Sequence, residues 1–99
     1  MTAKPRGFGE LDDFDAVFSA LAHPARRTIL AALHAHKGEM TSGAIAAWFD
    51  HSWPTTSQHL RVLQQAGLVL VELRGREHVY RIDSARLIAV TQRWLSYFS

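Results

Sequence analysis

The side chains best suited to making specific contacts fall in one stretch, SWPTTSQHLRVL over residues 52–63. On a helix opening near Ser52, Leu60 and Leu63 point inward with Thr56 one turn earlier, and Pro54, Thr55, Ser57, Gln58 and Arg61 take the opposite side. Small hydroxyls at the leading end, a Gln able to bond a base edge and an Arg one turn on for phosphate suit a helix whose first turns enter a major groove. A polar surface helix with ordinary caps accounts for the same residues. The second chemical signal is Arg74-Gly75-Arg76, lying between the segments LVLVEL and HVYRI. It puts two guanidinium groups on a projecting turn, as a wing along a phosphate backbone or in a minor groove requires. Standing alone it is equally a turn made soluble by charge; directly downstream of the first segment, the wing is the better reading.

No arrangement for catalysis accompanies these residues. Ser57 and His59 are two apart on a helix and cannot face each other, there is no glycine-rich phosphate loop, and Asp12, Asp13 and Asp15 sit in an exposed acidic run. The absence of Cys removes disulfides, thiolate nucleophiles and cysteine zinc sites together. An enzyme is therefore not expected.

The elements that must position these residues follow from periodicity. Residues 1–9 (MTAKPRGFG) have no period and read as a flexible arm, leaving residues 10–99 as one domain. Leu11, Phe14, Val17, Phe18 and Leu21 form the stripe of a first helix, with acids near its start where the helix dipole favours them. Pro24 opens a second helix carrying Ile29, Leu30 and Leu33 and ending near Lys37-Gly38. Thr41 is an N-cap for a short third helix, and Ser52 for a fourth that ends at Ala66-Gly67. Two helices with a short turn between them make a helix-turn-helix candidate. After Gly67 the period becomes that of strands, giving a hairpin over residues 68–82, and Asp83-Ser84 caps a last helix with Leu87, Val90, Trp94, Leu95 and Phe98 on a wide apolar face. The predicted fold is mostly α with a small β-hairpin, in the order ααααββα.

Ninety-nine residues hold one core at most, and 47% hydrophobic with 20% charged residues is a globular composition. Net charge is only +2, yet residues 52–99 carry six Arg against Glu72, Glu77 and Asp83. That local excess favours an anionic partner. No apolar run reaches a membrane span, and Met1–Glu10 lacks the apolar segment of a signal peptide, so the expected compartment is the cytoplasm. Of the ten aromatic residues, Phe8, Phe14, Phe18, Trp94, Tyr97 and Phe98 lie in the terminal regions. A chain this short struggles to bury both terminal stripes alone, so a homodimer through Leu11, Phe14, Phe18, Leu87, Val90, Trp94, Leu95 and Phe98 is expected.

Three ordered blocks, LAHPARRTIL (21–30), GAIAAWF through SWPTTSQHLRVLQQAGLV (43–69) and RGREHVYRID (74–83), resemble the ArsR-type family of bacterial winged helix-turn-helix repressors over roughly residues 11–98. The resemblance implies a homodimer that binds double-stranded DNA at an imperfect palindrome and represses transcription. Carried over by position, Trp53, Thr55, Ser57 and Gln58 face bases, with Ser52, Pro54 and His59 completing the recognition-helix set. Arg61, Arg74 and Arg76 face phosphate or the minor groove, and Gly75 and His78 complete the wing. Trp53 departs from the small polar residue usual there; it either packs on a thymine methyl or sugar or folds back into the protein.

Many members of the family sense metals, and this sequence departs from both familiar sites. The Cys-x-Cys pair of the third helix falls at Thr41 and Gly43, and the last helix, SARLIAVTQRWLSYF, has no His, Asp or Glu. No metal or cofactor is therefore expected; a new His site formed across the dimer stays open. His34 and His36 point apart on their helix, and His23, His51, His59 and His78 are scattered along the chain. Protonation of His59 and His78, on the recognition helix and beside the wing, is expected to strengthen DNA binding at mildly acidic pH. Release by an unknown small molecule bound between the first and last helices, release by a partner, and simple dilution of an autoregulator stay open. From another class, so does a dimeric winged-helix scaffold that docks a protein.

Overall fold

The structure, a computed structural model, describes residues 11–99; the arm expected over residues 1–9 lies outside them. The order is α1 (Leu11–Leu21), α2 (Pro24–Ala35), β1 (Glu39–Thr41), α3 (Ser42–Trp48), α4 (Trp53–Gln65), β2 (Val69–Arg74), β3 (Glu77–Ile82) and α5 (Ser84–Ser96). All five expected helices and both hairpin strands are present. β1 is an addition to the expected order. Three residues are too few to display alternation, and this segment is a strand only because β3 pairs with it, Met40 opposite Tyr80 and Thr41 opposite Val79.

Local chemistry sets the boundaries. Asp12 and Asp13 occupy the first turn of α1, on the positive end of its dipole. With Pro24 at the first helical position, His23 becomes the N-cap of α2, its Nδ1 accepting from the Ala25 amide at 3.1 Å. Thr41 closes β1 and caps α3 at once, its hydroxyl accepting from the Ala44 amide at 3.1 Å. Ser52 holds the N-cap position of α4, yet its hydroxyl donates to the Thr55 hydroxyl at 3.1 Å and does not bond the helix backbone. Gly67, at φ +77°, ends α4 in a left-handed turn in which the Leu68 amide returns to the Leu63 carbonyl at 3.0 Å.

The three strands lie antiparallel in the order β1-β3-β2. Gly75 at φ +61° takes the first place of the two-residue turn between β2 and β3, the position where a type II′ turn needs glycine. β2 is one of the two outer strands, and its Leu70, Val71 and Leu73 are exposed. Val17, Ile29, Leu33, Ile45, Leu60, Leu63, Leu68, Val69 and Val90 are fully enclosed in one cluster drawn from all five helices and the hairpin. Each such side chain contributes about 1.5–3 kcal/mol by leaving water, so the core is what holds α4 and the hairpin in register.

Candidate nucleic-acid interface

Burial divides α4 as the sequence pattern predicts. Thr56, Leu60 and Leu63 are buried, and Pro54, Thr55, Gln58 and Arg61 are exposed, with Ser57 and His59 half-buried. Trp53 is 37% exposed at the start of the helix, so it does not fold back into the core. Pro54, Thr55, Gln58 and His59 line an open depression over the first two turns. Hydroxyl, amide and imidazole groups therefore share one accessible end of a helix anchored by leucines on its other side. The hydroxyl of Thr56 is buried without a hydrogen-bond partner, and its methyl group serves the core.

The wing differs from expectation in one residue. Arg76 is exposed at the hairpin tip, but Arg74 is engaged within the sheet. Its guanidinium donates to Glu39 at 2.5 Å and to Glu72 at 2.5 Å. These hydrogen bonds hold the Glu39 carboxyl below the usual carboxylate range and raise the Arg74 pKa further. Arg74 thus ties the turn end of β2 to β1, leaving Arg76 as the cation of the tip. His78 is exposed on β3, opposite Leu73.

His59 also differs. Its ring lies 4.5 Å, centroid to centroid, from that of His23, and its Nδ1 is 3.3 Å from an Arg26 guanidinium nitrogen. Arginine can only donate, so Nδ1 is the acceptor and must be unprotonated. Burial, then the charges of His23, Arg26 and His51, lower its pKa from the ordinary imidazole value. That direction works against the protonation of His59 on which the expected acid strengthening of DNA binding partly rests.

Arg26 itself was not singled out from the sequence. Besides His59 it reaches two carbonyls at the end of α1, Ala20 at 2.7 Å and Ser19 at 3.1 Å, and neighbouring Arg27 reaches Leu21 at 2.7 Å. The only local signal is Pro24, which marks a helix start and so puts two arginines in its first turn; the partner 33 residues away leaves none.

Comparison with known proteins agrees with this geometry. A family model for a helix-turn-helix domain matches residues 21–72. The chain is 38% identical over 71 residues to the transcriptional repressor SdpR of Bacillus subtilis, covering 72% of this chain and 77% of that one. An ArsR-like transcriptional regulator from Rhodococcus superposes with a TM-score of 0.78 at 31% identity, over 91% of this chain and 80% of that one. The homodimeric winged helix-turn-helix DNA-binding domain Mb0332 from Mycobacterium bovis does so with a TM-score of 0.73 at 34% identity, over 97% and 91%. The chain belongs to the ArsR family of winged helix-turn-helix transcriptional regulators. It is a regulator of transcription and not an enzyme.

For an ArsR-family chain, the residues at the two familiar metal positions have other work. Thr41 caps α3, and α5 presents apolar and hydroxyl side chains. Among the described residues no three His, Asp or Glu side chains gather as a metal ion requires. α1 and α5 pack on each other through rings, Phe14 edge-on to Tyr97 at 6.1 Å and Phe18 to Trp94 at 5.2 Å. This corrects part of the expected dimer surface: Phe14 and Val90 are enclosed in the chain's own core, whereas Leu11, Phe18 and Leu87 are half-buried. Trp94, Leu95 and Phe98 stay exposed, Leu95 to 58% and Phe98 to 72%, and Ile88 and Tyr97, absent from the expected set, are exposed beside them. Those rings pack in the space between the first and last helices, where a small-molecule pocket is one of the readings the sequence leaves open. A cleft of about 320 Å³ opens instead between α2, the end of β3 and α5, lined by Leu30, His34, Ile82, Ser84, Leu87 and Ile88.

Proposed function

We propose that this chain is a homodimeric repressor that binds a palindromic DNA site in the cytoplasm. α4 reads base edges in the major groove through Trp53, Thr55, Ser57 and Gln58, with Ser52, Pro54 and His59 at its rim. Arg61 and Arg76 meet phosphate, and the hairpin with Gly75 and His78 runs along the backbone. The carrying observation is the exposed polar face of α4 set on a buried leucine side, in a helix that packs against β2 of the hairpin. The uncovered apolar strip of α5 supports a second copy as partner, and two recognition helices then reach major grooves about 34 Å apart. Release by a small molecule is the second reading; the cleft between α2 and α5 favours it, and thermal stabilisation by an extract fraction that also abolishes DNA binding is its test.

Selection of genome fragments by the purified protein at about 0.15 M salt, followed by titration of the best one, tests the main reading. Gln58→Ala relaxes preference at one base position by about 1–3 kcal/mol, and Arg76→Ala weakens binding evenly across sequences. Failure of any fragment to exceed non-specific affinity overturns it in favour of a protein-docking scaffold.

A further inference from the structure

Two arginines outside the DNA-reading face connect α4 to α1, one at the middle of α4 and one at its end. At the middle, Arg26 joins His59 to the α1 carbonyls of Ser19 and Ala20. At its end, Arg86 of α5 donates from Nε to the carbonyl of Ala66, the last residue before Gly67, at 2.8 Å, and from its terminal nitrogen to Asp13 in the first turn of α1 at 3.2 Å. The final carbonyls of a helix lack partners within it, and a charged donor there makes one of the stronger hydrogen bonds available. α1 and α4 are thus tied at two places, the end of α1 to the middle of α4 and the start of α1 to the end of α4. Gly67 leaves room for this: a Cβ there would lie 2.5 Å from Arg86 Nε.

A single attachment fixes a distance and leaves a pivot; two attachments about two turns apart, at His59 and Ala66, fix orientation as well. We propose that Arg26 and Arg86 are positioning residues for DNA binding, clamping the recognition helix α4 to α1 so that its angle in the groove follows the dimer helices. This rests on the dimeric DNA-binding reading above. Neither arginine needs to touch DNA. Their effect is on which separation of half-sites the dimer accepts, because a rigid α4 transmits one separation and a pivoting α4 accommodates several.

The test uses the full chain and duplexes carrying the selected site with its half-sites one base pair closer or further apart, a rotation of roughly 34°. Wild type loses about 10-fold or more in affinity at either altered spacing, whereas Arg86→Gln and Arg26→Gln lose about 3-fold or less relative to their own best site. The ratio between spacings is unmoved by a loss of folded protein, which lowers all affinities alike. Arg86→Lys, which keeps the charge but not the fork, behaves as Arg86→Gln. Should Arg86→Gln not fold, Asp13→Asn cuts the α1 end of the same link. Variants that keep the wild-type ratio while binding more weakly overturn the clamp alone. A wild type with no preferred site or spacing overturns the DNA reading and the clamp with it.

Discussion

The imidazole of His59 is held against its own protonation, because burial and the neighbouring His23, Arg26 and His51 all disfavour a second positive charge. Its folded pKa lies below the unfolded one, so the stability it contributes is present above the ordinary imidazole pKa and is lost as pH falls through the folded value. The urea midpoint of the wild type therefore drops between pH 7.5 and pH 5.5, and that of His59→Gln drops less; equal drops remove His59 from the account. This window lies above the carboxylate range, where Glu39, held low by Arg74, begins to lose its own contribution. Two residues of the same type on one surface can thus have opposite roles. His78 is open on the wing, and His59 is a neutral acceptor at the joint between α2 and α4. Arg76 and Arg74 divide likewise, the first free at the tip and the second engaged by two glutamates.

At the scale of elements, the end of α4 is constrained by Gly67 and by the Arg86 side chain packed over it. Gly67→Ala must hold an alanine at φ +77° and push Arg86 aside, so it destabilises by about 1–3 kcal/mol. Part of that cost is loss of the Arg86 bonds. The same substitution is therefore milder when Arg86 is already alanine, a non-additivity that a denaturation cycle over the four proteins measures. The helices were legible in the sequence because stripes such as Leu11, Phe14, Val17, Phe18 and Leu21 have the helical period, and because Pro24, Thr41, Asp83 and Gly67 are terminal residues by their own chemistry. The polar side of α4 was legible for the same reason, since Leu60 and Leu63 fix which side faces out. β1 was not, having no pattern apart from its partner. Nor were the engagements of Arg74, Arg26 and Arg86, whose partners lie 35, 33 and 73 residues away along the chain. Spacing reveals which residues share an element, and nothing in it says which side chains meet across the core.

For the molecule as a whole, the α5 strip is where the proposed second copy packs. Ile88, Trp94, Leu95, Tyr97 and Phe98 together form an apolar exposure large for a lone chain of this size. Leu95→Glu combined with Phe98→Glu converts a dimer to monomer in sedimentation and makes the melting temperature fall; in a protein that is monomeric throughout, changes at such exposed sites move stability by no more than about 0.5 kcal/mol. One outer strand of the sheet has a consequence of another kind. β2 leaves one row of backbone amides and carbonyls unpaired by any strand, with Leu70, Val71 and Leu73 facing water beside it. Such an edge is a template for sheet growth from one molecule to the next, and here it is limited by its six-residue length and by the charges of Glu72 and Arg74. If, as proposed, a duplex backbone lies along this ribbon, DNA-free copies expose the edge to one another and bound nucleic acid acts as a solubilising cover.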